Sequence, residues 1–109
     1  MTVKTSYSDG TLVLNLIGEL DHHAARGVVR EVERAIDSYL PGSVKVDLTG
    51  LTFMDSSGIA VILKAYRRTM ELGATMRVCG VRAQPRKVLA AASLERIIEI
   101  EKEAKELYI

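Results

Sequence analysis

The stretch Phe53-Met54-Asp55-Ser56-Ser57-Gly58-Ile59 lies between a run of residues typical of a β-strand and a run typical of an α-helix. We call its centre, Asp55–Gly58, the serine corner, because one carboxylate and two hydroxyls fall where strand turns into helix. The first backbone N–H groups of a helix lack partners within the helix, and its dipole is positive at that end. A phosphate on either serine would therefore meet favourable electrostatics.

Regular patterns of apolar residues predict the elements around the corner. Alternation with a period of two predicts five strands, at residues 2–7, 11–17, 44–48, 75–81 and 97–100. Apolar stripes at helical spacing and the flanking breakers predict four helices, at residues 25–39, 59–70, 86–94 and 102–109. Residues 51–54 lead into the serine corner and are not counted as a strand.

Capping and turn residues mark the ends of these elements. Asp9-Gly10 predicts a tight antiparallel hairpin, and Gly18 is expected to close the second strand. Asp21 suits the N-cap of the first helix. Gly73 ends the second helix, and Pro85 suits the N-terminus of the third. The second strand carries apolar residues on both faces, so we expect it inside the sheet.

The resulting order, β-β-α-β-α-β-α-β-α, predicts an α/β fold. Strands that alternate with helices favour a mixed, mostly parallel sheet, here of about five strands with about four helices. The chain has 109 residues and 48% of them are apolar, which predicts one compact domain spanning residues 1–109. A chain of this length buries roughly 65% of its unfolded surface, which is enough for a core of its own.

Composition excludes several classes of function. Fifteen basic and fourteen acidic side chains leave a net charge of +1, which gives no electrostatic reason to expect nucleic acid or a membrane as partner. The single cysteine, Cys79, fits a reducing compartment. Residues 1–5 lead into polar alternation without an apolar signal core, and no apolar run approaches a membrane span. We therefore expect a cytoplasmic protein.

The residues of the corner alone leave two interpretations open. Asp55, Ser56 and Ser57 are all good N-cap types, so one of them could cap the helix and do nothing more. Alternatively, Ser56 or Ser57 is a phosphoacceptor. A phosphoserine at a helix N-terminus leaves the fold intact and is felt by a partner surface, which is what a switch requires.

Catalytic patterns are absent from the sequence. A hydrolase serine calls for a Gly-x-Ser-x-Gly elbow, whereas Phe53-Met54-Asp55 precedes the serines here. Cys79 has Pro85 where a phosphatase loop needs arginine, which favours a buried strand thiol. There is no Gly-x-x-x-x-Gly-Lys phosphate loop. We expect a protein that is not an enzyme and has no cofactor.

The adjacent residues His22 and His23 are the remaining candidates for metal binding. Neighbours in a helix should point apart, and no third ligand follows at i+4. We therefore expect solvated side chains in the first turn of the helix and no metal.

Two stretches together resemble a known family. Gly18-Glu19-Leu20-Asp21-His22-His23 and the run from Leu51 to Leu63 resemble the STAS-domain anti-anti-sigma factors, with the sporulation members most similar. Asp-Ser-Ser-Gly alone is a weak signal, but the pair of motifs at this separation is specific. The resemblance covers essentially the whole chain. It implies a mixed sheet with helices packed mainly on one face.

The resemblance also implies a partner-switching function. In that family an anti-sigma factor, itself a serine kinase, holds a sigma factor inactive. The unphosphorylated antagonist binds the kinase in its ADP form and releases sigma, in these members to regulate sporulation transcription. The kinase in its ATP form phosphorylates the antagonist, and a PP2C-type phosphatase reverses the modification.

Family roles transfer to the serine corner residue by residue. Ser56 matches the phosphoacceptor, and Asp55 is its neighbour at the kinase interface. Ser57 and Gly58 shape the turn, with Ser57 as the residual cap. All four are therefore expected in the partner-binding surface.

The upstream motif is expected to share that surface. Asp21, with Glu19 and His22, matches the loop beside the corner, and for Asp21 a plain N-cap remains the alternative to direct contact. The sequence departs from the sporulation members at Ala60, where they usually have a second glycine, and at the bulkier run Ala65-Tyr66-Arg67-Arg68. These differences bear on partner specificity.

Three other functions remain as alternatives. The chain could antagonise an anti-sigma factor of another partner-switching pathway, such as general stress. It could be a STAS unit that scaffolds a larger signalling assembly, although such units usually carry an additional N-terminal domain. An intrinsic hydrolase would show turnover that depends on Ser56, and we expect none.

Overall fold

The computed structural model describes residues 1–101, which form one sheet with helices packed against it. The elements are β1 (Thr2–Ser8), β2 (Thr11–Leu20), α1 (His22–Tyr39), β3 (Ser43–Asp47), β4 (Leu51–Met54), α2 (Ser56–Glu71), β5 (Thr75–Cys79), α3 (Ala83–Ala91), a 3₁₀ turn (Leu94–Arg96) and β6 (Glu99–Ile100). The fourth predicted helix, at residues 102–109, lies outside the described residues.

The sheet confirms the predicted mixed α/β architecture. Its strand order is β1-β2-β3-β5-β6, and β4 pairs with β2 off this path. Only β1 and β2 are antiparallel, and all other pairs are parallel. Asp9 and Gly10 both have positive φ, at 51° and 80°, between paired residues Ser8 and Thr11. These angles match the two-residue hairpin that Asp-Gly predicts.

The leucines of β2 form the centre of the core. Leu12, Leu14 and Leu16 point to one face of the sheet and are at most 1% exposed. Helices α1 and α2 cover this face, with Val32 of α1 and Ile62 of α2 among the buried residues. On the other face of β2, Val13 and Asn15 are half-buried and Ile17 is exposed, so the strand is interior to the sheet, as predicted, but buries only one of its two faces.

The structure adds one strand to the five predicted, β4 at residues 51–54, which the sequence pattern left uncounted. Beyond Asn15, where its pairing with β3 ends, β2 continues to Leu20 by pairing with β4. Gly18 therefore does not close β2. Its φ of +112° suits glycine, and the register shifts between Gly18 and Glu19, so the glycine bends the strand towards its new partner. This corner strand makes the sheet six-stranded.

Several other boundaries differ from the predictions. Helix α3 begins at Ala83 rather than at residue 86, because proline is tolerated in the first turn, where its missing N–H would have no partner. The helix ends at Ala91, and Ser93 has a left-handed φ of 54°. Strand β5 stops at Cys79 because Gly80 turns with φ +69°. Strand β6 is limited to Glu99–Ile100.

No helix within residues 1–101 combines the length and the apolar character that crossing a membrane requires.

Candidate functional site

Two helices begin side by side at one edge of the sheet. α1 follows β2 and α2 follows β4, and these strands are parallel neighbours, so both helix N-termini lie at the same edge. The backbone N–H of Asp55 donates to the carbonyl of Leu20 at 3.2 Å. The upstream motif therefore lies beside the serine corner, as the sequence predicted.

Two aspartates cap the adjacent N-termini of α1 and α2 and accept hydrogen bonds from their free backbone N–H groups. Asp21 caps α1, with Oδ1 accepting from the backbone N–H groups of His23 and Ala24, both at 3.0 Å. Asp55 caps α2, with Oδ1 accepting from Ser57 N–H at 2.8 Å. The expected N-cap role of Asp21 is confirmed. Ser57 as residual cap is wrong, because Asp55 occupies the cap position and Ser57 donates to it.

Asp55 also links the two helices. Its second oxygen, Oδ2, accepts from the backbone N–H of His22, the first residue of α1, at 3.2 Å. One side chain thus fixes the start of α2 relative to the start of α1. Carboxylates near helix N-termini are stabilised by the positive end of the dipole, so the arrangement suits its charges.

The two serines differ in accessibility. Ser56 is the first residue of α2 and is exposed, whereas Ser57 is half-buried. Glu19 and His22 are exposed nearby, and Asp21 and Asp55 are half-buried. The open hydroxyl therefore belongs to Ser56.

Gly58 acts through packing. It is buried in the first turn of α2, and a Cβ there would overlap Met54 Cε. The same Cβ would lie 3.1 Å from Met54 Cβ and 3.3 Å from Leu20 Cδ2. The absence of a side chain lets the start of α2 rest directly on β4 and β2, so Gly58 shapes the corner without presenting a surface.

Sequence reasoning missed Gln84, which holds the strand that leads into the corner. Gln84 Oε1 accepts from the backbone N–H of Met54 at 2.9 Å, and Nε2 donates to the carbonyl of Met54 at 3.0 Å. The carboxamide thereby replaces a neighbouring strand on the free edge of β4, one residue before Asp55. The predicted helix began at residue 86. A predicted start at residue 83 would have placed Gln84 in the first turn of α3, and this is the signal that could have identified it.

Charge and chemistry at the site are otherwise simple. The hydrogen bond from the backbone N–H of Ala24 lowers the pKa of Asp21; burial opposes this effect in part, and the hydrogen bond from the backbone N–H of His23 lowers the pKa further. The rings of His22 and His23 lie 4.0 Å apart between centroids, so the expectation that they point apart is wrong. A residue in the first turn has no preceding turn to direct its side chain.

Within residues 1–101, no three His, Cys, Asp or Glu side chains are grouped to hold a metal.

Cys79 is buried on β5, as predicted, and burial raises the pKa of its thiol. A raised pKa disfavours the nucleophilic thiolate.

Solved structures of known proteins share this fold. The anti-sigma factor antagonist SpoIIAA in its unphosphorylated form superposes with a TM-score of 0.71 at 20% identity, over 98% of this chain and 94% of that chain. The phosphorylated form of the Bacillus cell fate determinant SpoIIAA gives 0.69 at 24% identity, over 98% and 97%. At these identities the likeness shows the fold alone.

The sequence comparison is more specific. An anti-sigma F factor antagonist from Paenibacillus polymyxa is 33% identical over 100 residues, which are 92% of this chain and 86% of the relative. The STAS domain profile matches residues 2–107. On this match over nearly all of its length, the chain belongs to the STAS domain family.

Proposed function

We propose that this protein is an anti-sigma factor antagonist, and that phosphorylation of Ser56 switches it off. The antagonists among its relatives support the first statement. The observation that carries the second is the exposed Ser56 hydroxyl at the first position of α2, beside the start of α1.

The proposed cycle has two partners. An anti-sigma factor that is also a serine kinase binds the unphosphorylated chain and releases its sigma factor. When the kinase holds ATP, the γ-phosphoryl group passes to Ser56 Oγ, the hydroxyl proton is lost, and ADP remains on the kinase. A PP2C-type phosphatase hydrolyses the phosphoserine and restores the free hydroxyl. The chain itself is a substrate in both steps and needs no cofactor.

The geometry around Ser56 explains how a phosphate would act on binding rather than on folding. The side chain is exposed, so a phosphate displaces nothing from the core. It would add about −1.5 to −2 charges at a helix N-terminus, where anions are tolerated. The same surface already carries the carboxylates of Glu19, Asp21 and Asp55. The added charge would therefore change the affinity for a partner more than the stability of the fold.

The proposed partner surface divides into contact and support. Glu19, His22 and Ser56 are exposed and can touch a partner. Ser57 and the capping residues Asp21 and Asp55 are half-buried, and each can offer part of its surface. Gly58 supports the surface through the packing of α2 on β4.

The relatives support a proposal for the pathway and the location. Two of them carry the name anti-sigma F factor antagonist, which favours sporulation over general stress as the regulated process. A partner of this kind supports a cytoplasmic location for the chain.

The proposal is tested by incubating the purified chain with its cognate anti-sigma kinase and ATP. Intact-protein mass spectrometry should show one phosphate, and fragmentation should place it on Ser56. Ser56→Ala should take none, and the matched control Ser57→Ala should still be modified. Phosphate found mainly on Ser57 would overturn the assignment.

A further inference from the structure

A cleft of about 420 Å³ between α1 and α2 opens next to the serine corner. We call it the basic cleft, because its charged lining residues are Arg26 and Arg30 of α1 and Lys64 of α2, and no carboxylate of residues 1–101 lines it. His22 and Ser57 line the end nearest the corner. A partner seated over Ser56 would therefore reach the cleft.

The floor and walls of the basic cleft differ in polarity. Ala25 and Val29 of α1 and Ala60 and Val61 of α2 supply apolar surface between the cationic side chains. A cleft with an apolar floor and a cationic rim fits an amphipathic segment that carries carboxylates.

Helix α1 carries three acidic residues, Glu31, Glu33 and Asp37, but none of them lines the cleft or forms an ion pair with Arg26 or Arg30. Arg26, Arg30 and Arg34 repeat at i,i+4 along α1, and like charges at this spacing destabilise a helix by about 0.2–0.5 kcal/mol per pair. Arg26 also lies near the helix N-terminus, where the dipole disfavours cations. Helix α1 has no acidic residue in its first turn.

The other end of the same helix pair is built differently. There Arg68 of α2 pairs with Asp37 of α1 at 2.8 Å and with Glu71 at 3.0 Å. Across residues 1–101, Arg26, Arg30 and Lys64 take part in no ion pair. Where α1 and α2 pack far from the serine corner, the charged side chains form ion pairs. Beside the serine corner, the cationic side chains are available to a partner.

We infer that the basic cleft docks an acidic segment of the anti-sigma partner, adjacent to the serine that the partner modifies. This inference rests on the proposed function and adds a second contact region to it. The carboxylates of the segment would supply counter-charges to Arg26, Arg30 and Lys64, and the apolar residues of the segment would cover the floor.

The test compares two variants with the same change in net charge. The cleft variant is Arg26→Gln with Arg30→Gln and Lys64→Gln. The control variant is Arg34→Gln with Lys4→Gln and Lys87→Gln, three exposed cations that do not line the cleft. Because each set relieves repulsion on α1, both variants should unfold at or above the temperature of the unmodified chain. The single change Arg26→Gln serves if the triple variant is less stable.

Affinity for the kinase in its ADP form is measured by calorimetry at two or more salt concentrations. The cleft variant should bind about tenfold more weakly and lose part of the salt dependence, while the control variant should keep both. Equal weakening in both variants would mean that only overall charge matters, and it overturns the inference. Equal affinity in all three proteins overturns it as well.

The two proposals fail in distinguishable ways. If the unmodified chain does not bind the kinase, the proposed function fails and the inference falls with it. If the unmodified chain binds and the cleft variant binds equally well, only the docking role of the cleft is lost. A parallel titration with inorganic phosphate alone identifies a small-anion site. If inorganic phosphate binds the cleft but the cleft variant does not change kinase binding, an acidic protein segment is likewise rejected as the occupant.

Discussion

Asp55 accepts a hydrogen bond from the backbone N–H of His22 at 3.2 Å, across 33 positions of sequence. Its other oxygen accepts from Ser57 at 2.8 Å, so a single carboxylate serves the first turns of both α1 and α2. The exposed Ser56 lies between Asp55 and Ser57 in the chain. The position of Ser56, the proposed phosphoacceptor, therefore depends on Asp55, which is part of the sequence motif and also fixes the two helix N-termini.

Asp55→Ala should lower the free energy of unfolding by about 1–2 kcal/mol, because it removes the α2 cap and the link to α1 together. Asp55→Asn should lose less, because the amide oxygen can still accept one of the two bonds. Chemical denaturation measures both, with Ser56→Ala as an exposed control that should be close to neutral. Equal stability of Asp55→Ala and the unmodified protein would show that the carboxylate carries no structural role.

Gly27→Ala and Gly58→Ala should change stability in opposite directions. A Cβ at Gly27 meets nothing within 4 Å, so the exposed helix position should gain about 0.5–1 kcal/mol from alanine's higher helix propensity. At Gly58 the same gain is outweighed by overlap with Met54, and a net loss of about 1–2 kcal/mol is expected. Thermal unfolding of the pair tests this contrast. A stabilised Gly58→Ala would show that Met54 moves aside freely.

Gln84→Ala should loosen the strand before the corner. It leaves the N–H and carbonyl of Met54 without their side-chain partner, so the Met54 amide should exchange with solvent faster. Hydrogen-exchange measurements on residues 51–57 detect this, and Arg86→Gln on the same helix is the control. If Met54 exchange stays unchanged in Gln84→Ala, the carboxamide does not hold β4.

The sequence predicted those features that depend on local pattern. The hairpin at Asp9-Gly10 and the N-cap at Asp21 each rest on residue types that favour one backbone geometry over its alternatives. Strand β4 has only four residues and shows no alternation, and its pairing with β2 exists because Gly18 bends that strand. The bond between Gln84 and Met54 joins residues thirty positions apart and has no periodic signature. These two pairings could not be predicted from local sequence pattern.

Ser56→Asp should keep the fold and weaken binding to the anti-sigma kinase. An acidic residue at the first position of a helix is neutral to stabilising by up to about 1 kcal/mol, so unfolding should change little. The added charge on a surface that already carries Glu19 and Asp21 should reduce affinity about tenfold or more in calorimetry. Ser56→Asn, with nearly the same shape and no charge, is the control. Unchanged affinity in Ser56→Asp would contradict an electrostatic switch.

The contribution of Asp21 to stability should disappear in acid. The hydrogen bond from the backbone N–H of Ala24, with that of His23, holds the pKa of Asp21 below its ordinary value in the folded protein. A carboxyl whose folded pKa is lowered stabilises the fold above the unfolded pKa of about 3.9, and this stabilisation is lost as the pH falls through the folded pKa. Asn is an equally good N-cap without the charge. The difference in unfolding free energy between the unmodified protein and Asp21→Asn should therefore be constant from pH 7 to about pH 5 and shrink below about pH 4. Denaturation midpoints across this range measure it, and a difference that persists undiminished in strong acid would show that the carboxylate charge does not stabilise α1.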